Sequence, residues 1–221
     1  HHMIWWLSPV SSPVRWARPA LAVRVTMYAA KQIEDLIAKD EWKRARIKIR
    51  RQLEKEPNNH FYLSRLALTH YEERRYARAL AITQKALKLA PCCPMVLWEY
   101  AGELGMLGRE REAISIRKSL IRRGARRIAF GECGEGLPDA RRLLNDCRYR
   151  MAFEHDQIGE RTLAIRYLRA YLSYRRRGVT SIYPIAEVRS KLKTLLDDES
   201  RKRPVGGVKR GRGGQRRRSQ G

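Results

Sequence analysis

Ala45, Ala79 and Ala113 stand 34 residues apart, and Pro57 and Pro91 repeat the same interval. A fixed period with small residues in register points to one helix pair stamped out several times. Such arrays build binding surfaces far more often than active sites, because each unit contacts only its neighbours. The agreement extends beyond the alanines. The strings Glu-Trp-Lys-Arg-Ala45, Arg-Tyr-Ala-Arg-Ala79 and Arg-Glu-Arg-Glu-Ala113 align, with Leu53, Leu87 and Ile121 eight residues later. Ile33, Ala67 and Ala101 stand twelve residues before.

A fourth unit is out of register. Ile158-Gly159 precedes Ala164 as Leu107-Gly108 precedes Ala113, with Ala152 again twelve residues earlier. Ala113 and Ala164 are 51 residues apart, so 17 residues interrupt the period. On these residues the chain resembles the tetratricopeptide repeat family. The second repeat carries the likeness best, through Leu63, Leu66, Ala67, Tyr76, Ala79, Ala86 and Pro91. The third keeps Leu97, Tyr100, Ala101, Leu104, Gly108 and Ala113, with Ala125 where a proline would recur. The first is weaker, with Leu36, Trp42, Ala45 and Pro57. The resemblance covers residues 27–177. It implies an all-α, right-handed α-solenoid of antiparallel helix pairs, with three to four repeats and a C-terminal capping helix.

A chain of 221 residues with 43% hydrophobic content is long enough to bury a core. No apolar run approaches the roughly 20 residues needed to span a bilayer. Cys92, Cys93, Cys133 and Cys147 do not form a disulfide framework in a chain of this size, so free thiols in a reducing, cytoplasmic compartment are expected. The net charge is +25. Residues 201–221 carry nine Lys or Arg and no acid, which leaves 39 basic against 23 acidic residues, or +16, on the remainder. A field of that sign attracts nucleic acid, anionic membrane or acidic protein and speaks to partners rather than fold. Arginine outnumbers lysine 36 to 12, which suits bidentate anion contacts and equally suits codon bias in a GC-rich genome.

Residues 1–26 are expected to be a tag remnant (His1-His2-Met3) and an irregular leader without acids, either translated leader ahead of a native start at Met27 or an Arg-rich organelle transit peptide that starts in the region of residue 4. The repeat domain is expected over 27–197, with helices at 28–38, 42–55, 59–73, 76–89, 94–107 and 110–123, then 138–156, 160–177 and 184–197. Asp40 is placed to cap the second helix and Asn58 the third. Gly108 and Gly159 suit the turn between paired helices, where a left-handed residue is required. Residues 126–137, with Gly131, Gly134 and Gly136, read as an inserted loop. Residues 198–221, rich in Arg and Gly, have no apolar face to offset the entropy of ordering and are expected to be disordered.

No chemical motif emerges. His60, His70 and His155 form no His-Glu-x-x-His pattern, and there is no Cys-x-x-Cys. Cys133, Cys147 and His155 fit no common zinc spacing, so structural thiols are the better reading and no metal or cofactor is expected. The loop Gly131-Glu132-Cys133-Gly134-Glu135-Gly136 carries two acids that would repel phosphate. With no nucleophile–base grouping either, the chain is read as a non-enzyme.

In the tetratricopeptide family the first helix of each pair lines a concave groove that binds extended or helical peptides. The resemblance carries this role to Phe61, Ser64, Leu68 and Tyr71, to Met95, Trp98, Gly102 and Met106, and to Tyr149, Phe153 and Asp156. Packing between adjacent repeats would account for any single one of them equally well. Basic clusters at Arg122, Arg123, Arg126, Arg127, Arg141 and Arg142, with Arg212, Arg216, Arg217 and Arg218 in the tail, are the candidate polyanion contacts. The expected function is a protein-interaction scaffold binding an unidentified protein or peptide in its groove. The alternative is nucleic-acid association through the basic body and tail.

Overall fold

From Ala20 to Lys202 the computed structural model describes a succession of α-helices, with no strand among those residues. They are α1 (Ala20–Ile37), α2 (Trp42–Lys55), α3 (His60–Glu72), α4 (Tyr76–Leu89), α5 (Pro94–Met106), α6 (Glu110–Ala129), α7 (Leu137–Gln157), α8 (Arg161–Arg176) and α9 (Ile185–Lys202). Each helix packs on the next in sequence, and α3 also packs on α5. This neighbour-to-neighbour pattern is that of an all-α solenoid. None of the described helices is long and apolar enough to cross a membrane.

The period is visible in the backbone. At the end of α1, Asp40 takes a left-handed φ of 58°, and the same occurs at Arg74 (60°), Gly108 (73°) and Gly159 (79°). These positions follow the 34-residue interval and then the enlarged one. After each, a backbone N–H reaches back across the turn: Glu41 to the Leu36 carbonyl, Arg75 to His70 and Arg109 to Leu104, all at 2.9 Å, and Glu160 to His155 at 2.8 Å. A left-handed residue that folds the chain back onto the last carbonyls of a helix ends it and starts the next in the opposite direction. The two glycines adopt this conformation freely, whereas Asp40 and Arg74 do so against steric preference.

Ala45, Ala79, Ala113 and Ala164 are wholly buried, as are Ala67 and Ala101. A methyl group at these crossings lets two helices approach closely, and larger apolar residues fill the space on either side. Ile33, Ile49, Tyr62 and Leu68 close the core between the first two pairs. Leu80 and Leu104 flank Ala101 and Ala113 further on. Tyr149, Leu168, Tyr171, Val188 and Leu195 form the core beneath α9, the expected capping helix.

Several local expectations need correction. Asp40 does not cap α2; it closes α1, and Glu41 occupies the N-cap of α2 without a side-chain hydrogen bond. The cap of α3 is Asn59 rather than Asn58. Its side-chain oxygen accepts from the N–H groups of Phe61 (3.0 Å) and Tyr62 (3.4 Å). Helix α1 begins at Ala20 rather than 28, because Ala20 to Val25 follow Pro19 with no further breaker. The expected loop 126–137 is shorter. α6 breaks at Gly124 (φ 77°, ψ 159°), resumes to Ala129, and α7 starts at Leu137. α9 continues past residue 197 to Lys202, held against α8 by Arg161–Asp198 at 3.6 Å. Most of the leader (1–19) and of the tail (203–221) lies outside the described residues.

A polar contact also recurs between repeats. Thr83 donates to Glu103 at 2.6 Å, and Arg117 Nε to Glu154 at 2.9 Å. The partners are 20 residues apart in the first case and 37 in the second. The difference is the 17-residue insertion, so the interface is rebuilt beyond it.

Two outcomes follow for stability. Ala79→Glu places an unpaired charge in a methyl-sized space and is expected to cost about 3 kcal/mol; an unchanged melting temperature would contradict the crossing. Burial pushes the Glu103 carboxyl up to about 9 against the Thr83 hydrogen bond. The folded chain therefore holds a proton that the unfolded chain releases above the ordinary carboxylate range, and stability falls as pH rises between the two values. Glu103→Gln cannot ionise, so its melting temperature relative to the parent should climb from about pH 5 to about pH 9. A difference that stays flat across that range would show that Glu103 is ionised in the fold.

Candidate functional site

The inner wall is expected on the first helix of each pair, and the start of each of these helices is set locally. Asn59 caps α3, while Pro94 and Pro138 occupy the first turns of α5 and α7, where a missing N–H costs nothing. Of the residues expected on this wall, Met106 is open to solvent, 42% exposed. Phe61, Tyr71 and Phe153 are half-buried. Tyr71 meets Tyr76 edge-on at 5.1 Å and lies beside Gly102, where a methyl group would contact its ring at 3.9 Å. Gly102 is itself buried beneath that ring, and Met106 follows one turn later on α5.

Ser64, Leu68, Met95, Trp98 and Tyr149 are interior instead. Leu68 lies in the core with Ile33 and Ile49. Ser64 donates to Glu99 on the next repeat, and Met95 abuts the Arg65 guanidinium. Trp98, 3% exposed, is covered by Ile128 and Ala129 from the end of α6 and by Ala140, Leu143 and Leu144 from the start of α7. Arg117 lies over its ring at 4.7 Å. The lengthened helices around the insertion are thus the cover of the third repeat's wall.

The fourth unit is covered by the chain that follows it. Tyr183, in the connector between α8 and α9, stacks on Tyr149 at 3.8 Å. The Tyr149 hydroxyl donates to Glu187 at 2.5 Å. Lys191 reaches Asp156 at 2.6 Å and sits 5.2 Å above the Phe153 ring. The connector is itself pinned, since Tyr171 donates to the Tyr183 carbonyl at 2.6 Å and Ser181 to Asp146. Burial raises the Asp146 carboxyl to about 7, with Ser181 opposing the shift.

A run of charge crosses the wall that hydrophobic patterning did not reveal. Arg65, on α3 and almost wholly buried, pairs with Glu99 on α5 at 2.6 Å and Glu34 on α1 at 3.5 Å. Burial pushes Glu99 up to about 6 despite Arg65. For Arg65 itself, burial works against the charge and the two carboxylates more than restore it. A signal for this pair was present: Arg65 and Glu99 are opposite charges 34 residues apart, at the same position of successive repeats.

Among the candidate polyanion contacts, Arg122, Arg126, Arg127 and Arg141 are exposed. Arg123 donates to the Cys92 carbonyl at 2.6 Å, and Arg142 pairs with Asp139 at 2.8 Å, so both have structural partners. Arg212, Arg216, Arg217 and Arg218 lie outside the described residues. The trio Cys133, Cys147 and His155 is scattered. Cys147 is buried with Trp98, and His155 pairs with Glu160 at 2.6 Å. Instead, His60, Cys93 and Cys133 converge where α3 and α5 begin.

No protein-family model matches the chain, and no curated protein does. Solved structures of MamA share its architecture. One has 16% identity and a TM-score of 0.52, over 81% of this chain and 94% of that one. A second has 17% identity and a TM-score of 0.50, over 77% and 95%. A third, MamA MSR-1 C2, has 20% identity and a TM-score of 0.50, over 73% and 82%. At these identities the likeness shows the fold, an all-α helical-repeat array.

Proposed function

We propose that this chain is a non-catalytic scaffold of the tetratricopeptide type, docking a protein segment against its inner wall. The observation that carries the reading is the recurrence of the helix pair, in its left-handed turns, buried alanines and inter-repeat polar contacts. An array built this way holds its wall rigid before any partner arrives, so little receptor ordering is charged against binding. The Glu34–Arg65–Glu99 run stiffens the first three inner helices further.

The open part of the wall narrows the docking stretch to Phe61, Tyr71 and Met106. An aromatic ring beside a flexible thioether supplies adaptable apolar contact without a fixed hydrogen-bond code. Clamping of a terminal carboxylate is disfavoured there, because Arg65 is already held by two glutamates. The +25 balance favours a partner with acidic flanks.

Tyr71→Ala combined with Met106→Ala is expected to lower recovery of captured protein partners about tenfold, a loss near 1.4 kcal/mol, with far-ultraviolet circular dichroism unchanged. Capture is run from nuclease-treated lysate. Unchanged recovery by the double variant would move the docking surface elsewhere. Loss of every partner on nuclease treatment would replace this reading with polyanion binding, for which Arg122, Arg126, Arg127 and Arg141 are the exposed contacts.

A further inference from the structure

Three segments far apart in sequence bring ligand-type side chains to one point. His60 is the first residue of α3, Cys93 the residue before α5, and Cys133 lies in the turn between α6 and α7. The His60 ring nitrogen and the two sulfurs all lie within 4.8 Å of one another, with Cys133 Sγ 3.2 Å from His60 Nε2. Tetrahedral coordination with ordinary Zn–S and Zn–N lengths requires edges of about 3.8 Å between sulfurs and about 3.5 Å from sulfur to nitrogen. The three groups are already near that spacing. We propose that His60, Cys93 and Cys133 form a binding site for a thiophilic divalent cation of the zinc class, with water completing the fourth position.

The turn that delivers Cys133 is built for close approach. A side chain at Gly131 would lie 2.5 Å from the Arg127 carbonyl oxygen, and one at Gly134 2.4 Å from that of Ala129. Both flanking positions are thus restricted to glycine, and the turn folds tightly onto the end of α6. The Gly134 N–H closes it on the Gly131 carbonyl at 3.0 Å. Cys133, half-buried, packs against the cluster of Ala90, Cys93, Met95 and Val96. On the other side, Cys93 is wholly buried in the same cluster, next to Val96.

The local field has the right sign. In a chain of net charge +25, the residues on either side of this turn are Glu132 and Glu135, and Glu132 acts on the His60 ring. Two thiols and an imidazole select a borderline-soft cation over calcium or magnesium, which require oxygen donors. A simple Cys93–Cys133 disulfide is the competing use of the two sulfurs. The cation is favoured because both sulfurs also lie within 4.8 Å of the same imidazole nitrogen, a three-way convergence rather than a pair. Bound there, the ion would join the second repeat, the third repeat and the insertion, fixing the 130–136 turn beside Phe61. This site stands independently of the docking reading.

The test uses the full-length chain, reduced, stripped with chelator and titrated with Zn2+ alone against a chromophoric competitor, then with Co2+ as a spectroscopic probe. One equivalent is expected to bind and raise the melting temperature, because an ion that binds only the folded state stabilises it. The Co2+ form should show sulfur-to-metal charge-transfer absorption. Cys133→Ser and His60→Gln are each expected to weaken binding at least about 100-fold, as removal of a ligand should cost no less than loss of its supporting partners. Cys92→Ser should leave binding unchanged. Cys133 sits on a half-buried turn, and Cys133→Ala provides a second variant should the serine disturb folding. Absence of binding by the reduced chain would overturn the proposal. So would binding that persists undiminished in both Cys133 variants, which would assign it to His1 and His2. Loss of two hydrogens from a Cys93–Cys133 peptide pair in unreduced protein, with no metal uptake after reduction, would replace the cation with a disulfide.

Discussion

The close approach of helices at Ala45, Ala79, Ala113 and Ala164 is the constraint on which the rest depends. With only a methyl group between them, paired helices come near enough for the flanking leucines, isoleucines and tyrosines to exclude water. Every later feature presupposes that spacing. The Arg65 guanidinium can bridge α1 and α5 only because successive inner helices are held a side chain apart. The same spacing lets the Thr83–Glu103 contact find its equivalent in Arg117–Glu154 after the insertion. In an array of nearest-neighbour interfaces, one distance copied along the chain sets the geometry of the whole.

Periodicity made the array legible because it encodes which residues share a helix face, and that information is local. It carried the helix pairs, the alanine crossings and the turns at Gly108 and Gly159. It did not say what covers a face. Trp98 and Tyr149 sit at inner-wall positions, but Ile128, Leu143 and Tyr183 cover them, and those residues lie in segments with no counterpart in the repeat. The convergence of His60 with Cys133 spans 73 residues and depends on how one short turn folds. No spacing rule reaches that far. The cap errors are of another kind: Asp40 and Asn58 are each one residue from the actual N-caps, and the left-handed turn at Asp40 took a residue type normally read as an N-cap.

Burial of charge on the inner wall trades stability for definition. Taking Arg65, Glu34 and Glu99 out of water is costly, and their attraction restores much of that only in one geometry. Similar apolar residues could pack with equal or better stability but would lack the directional bonds that tie α1, α3 and α5 together here. Arg117 shows a related compromise. It is wholly buried, held by Glu154 at 2.9 Å, and spread over the indole of Trp98. The guanidinium plane thereby serves both as ion-pair partner and as packing surface.

Gly124 interrupts α6 with a φ of 77° and a ψ of 159°. That combination is open almost solely to glycine, yet a side chain there would meet nothing within 4 Å. The residue matters through direction rather than contact. Beyond it, Ala125 to Ala129 form a short arm of roughly 7 Å at the rise of an α-helix, and its far end carries Ile128 and Ala129 onto Trp98. Rotation at this joint would swing the arm and lift the lid from the indole. A position that touches nothing itself thus sets the direction of the arm that covers a buried aromatic residue.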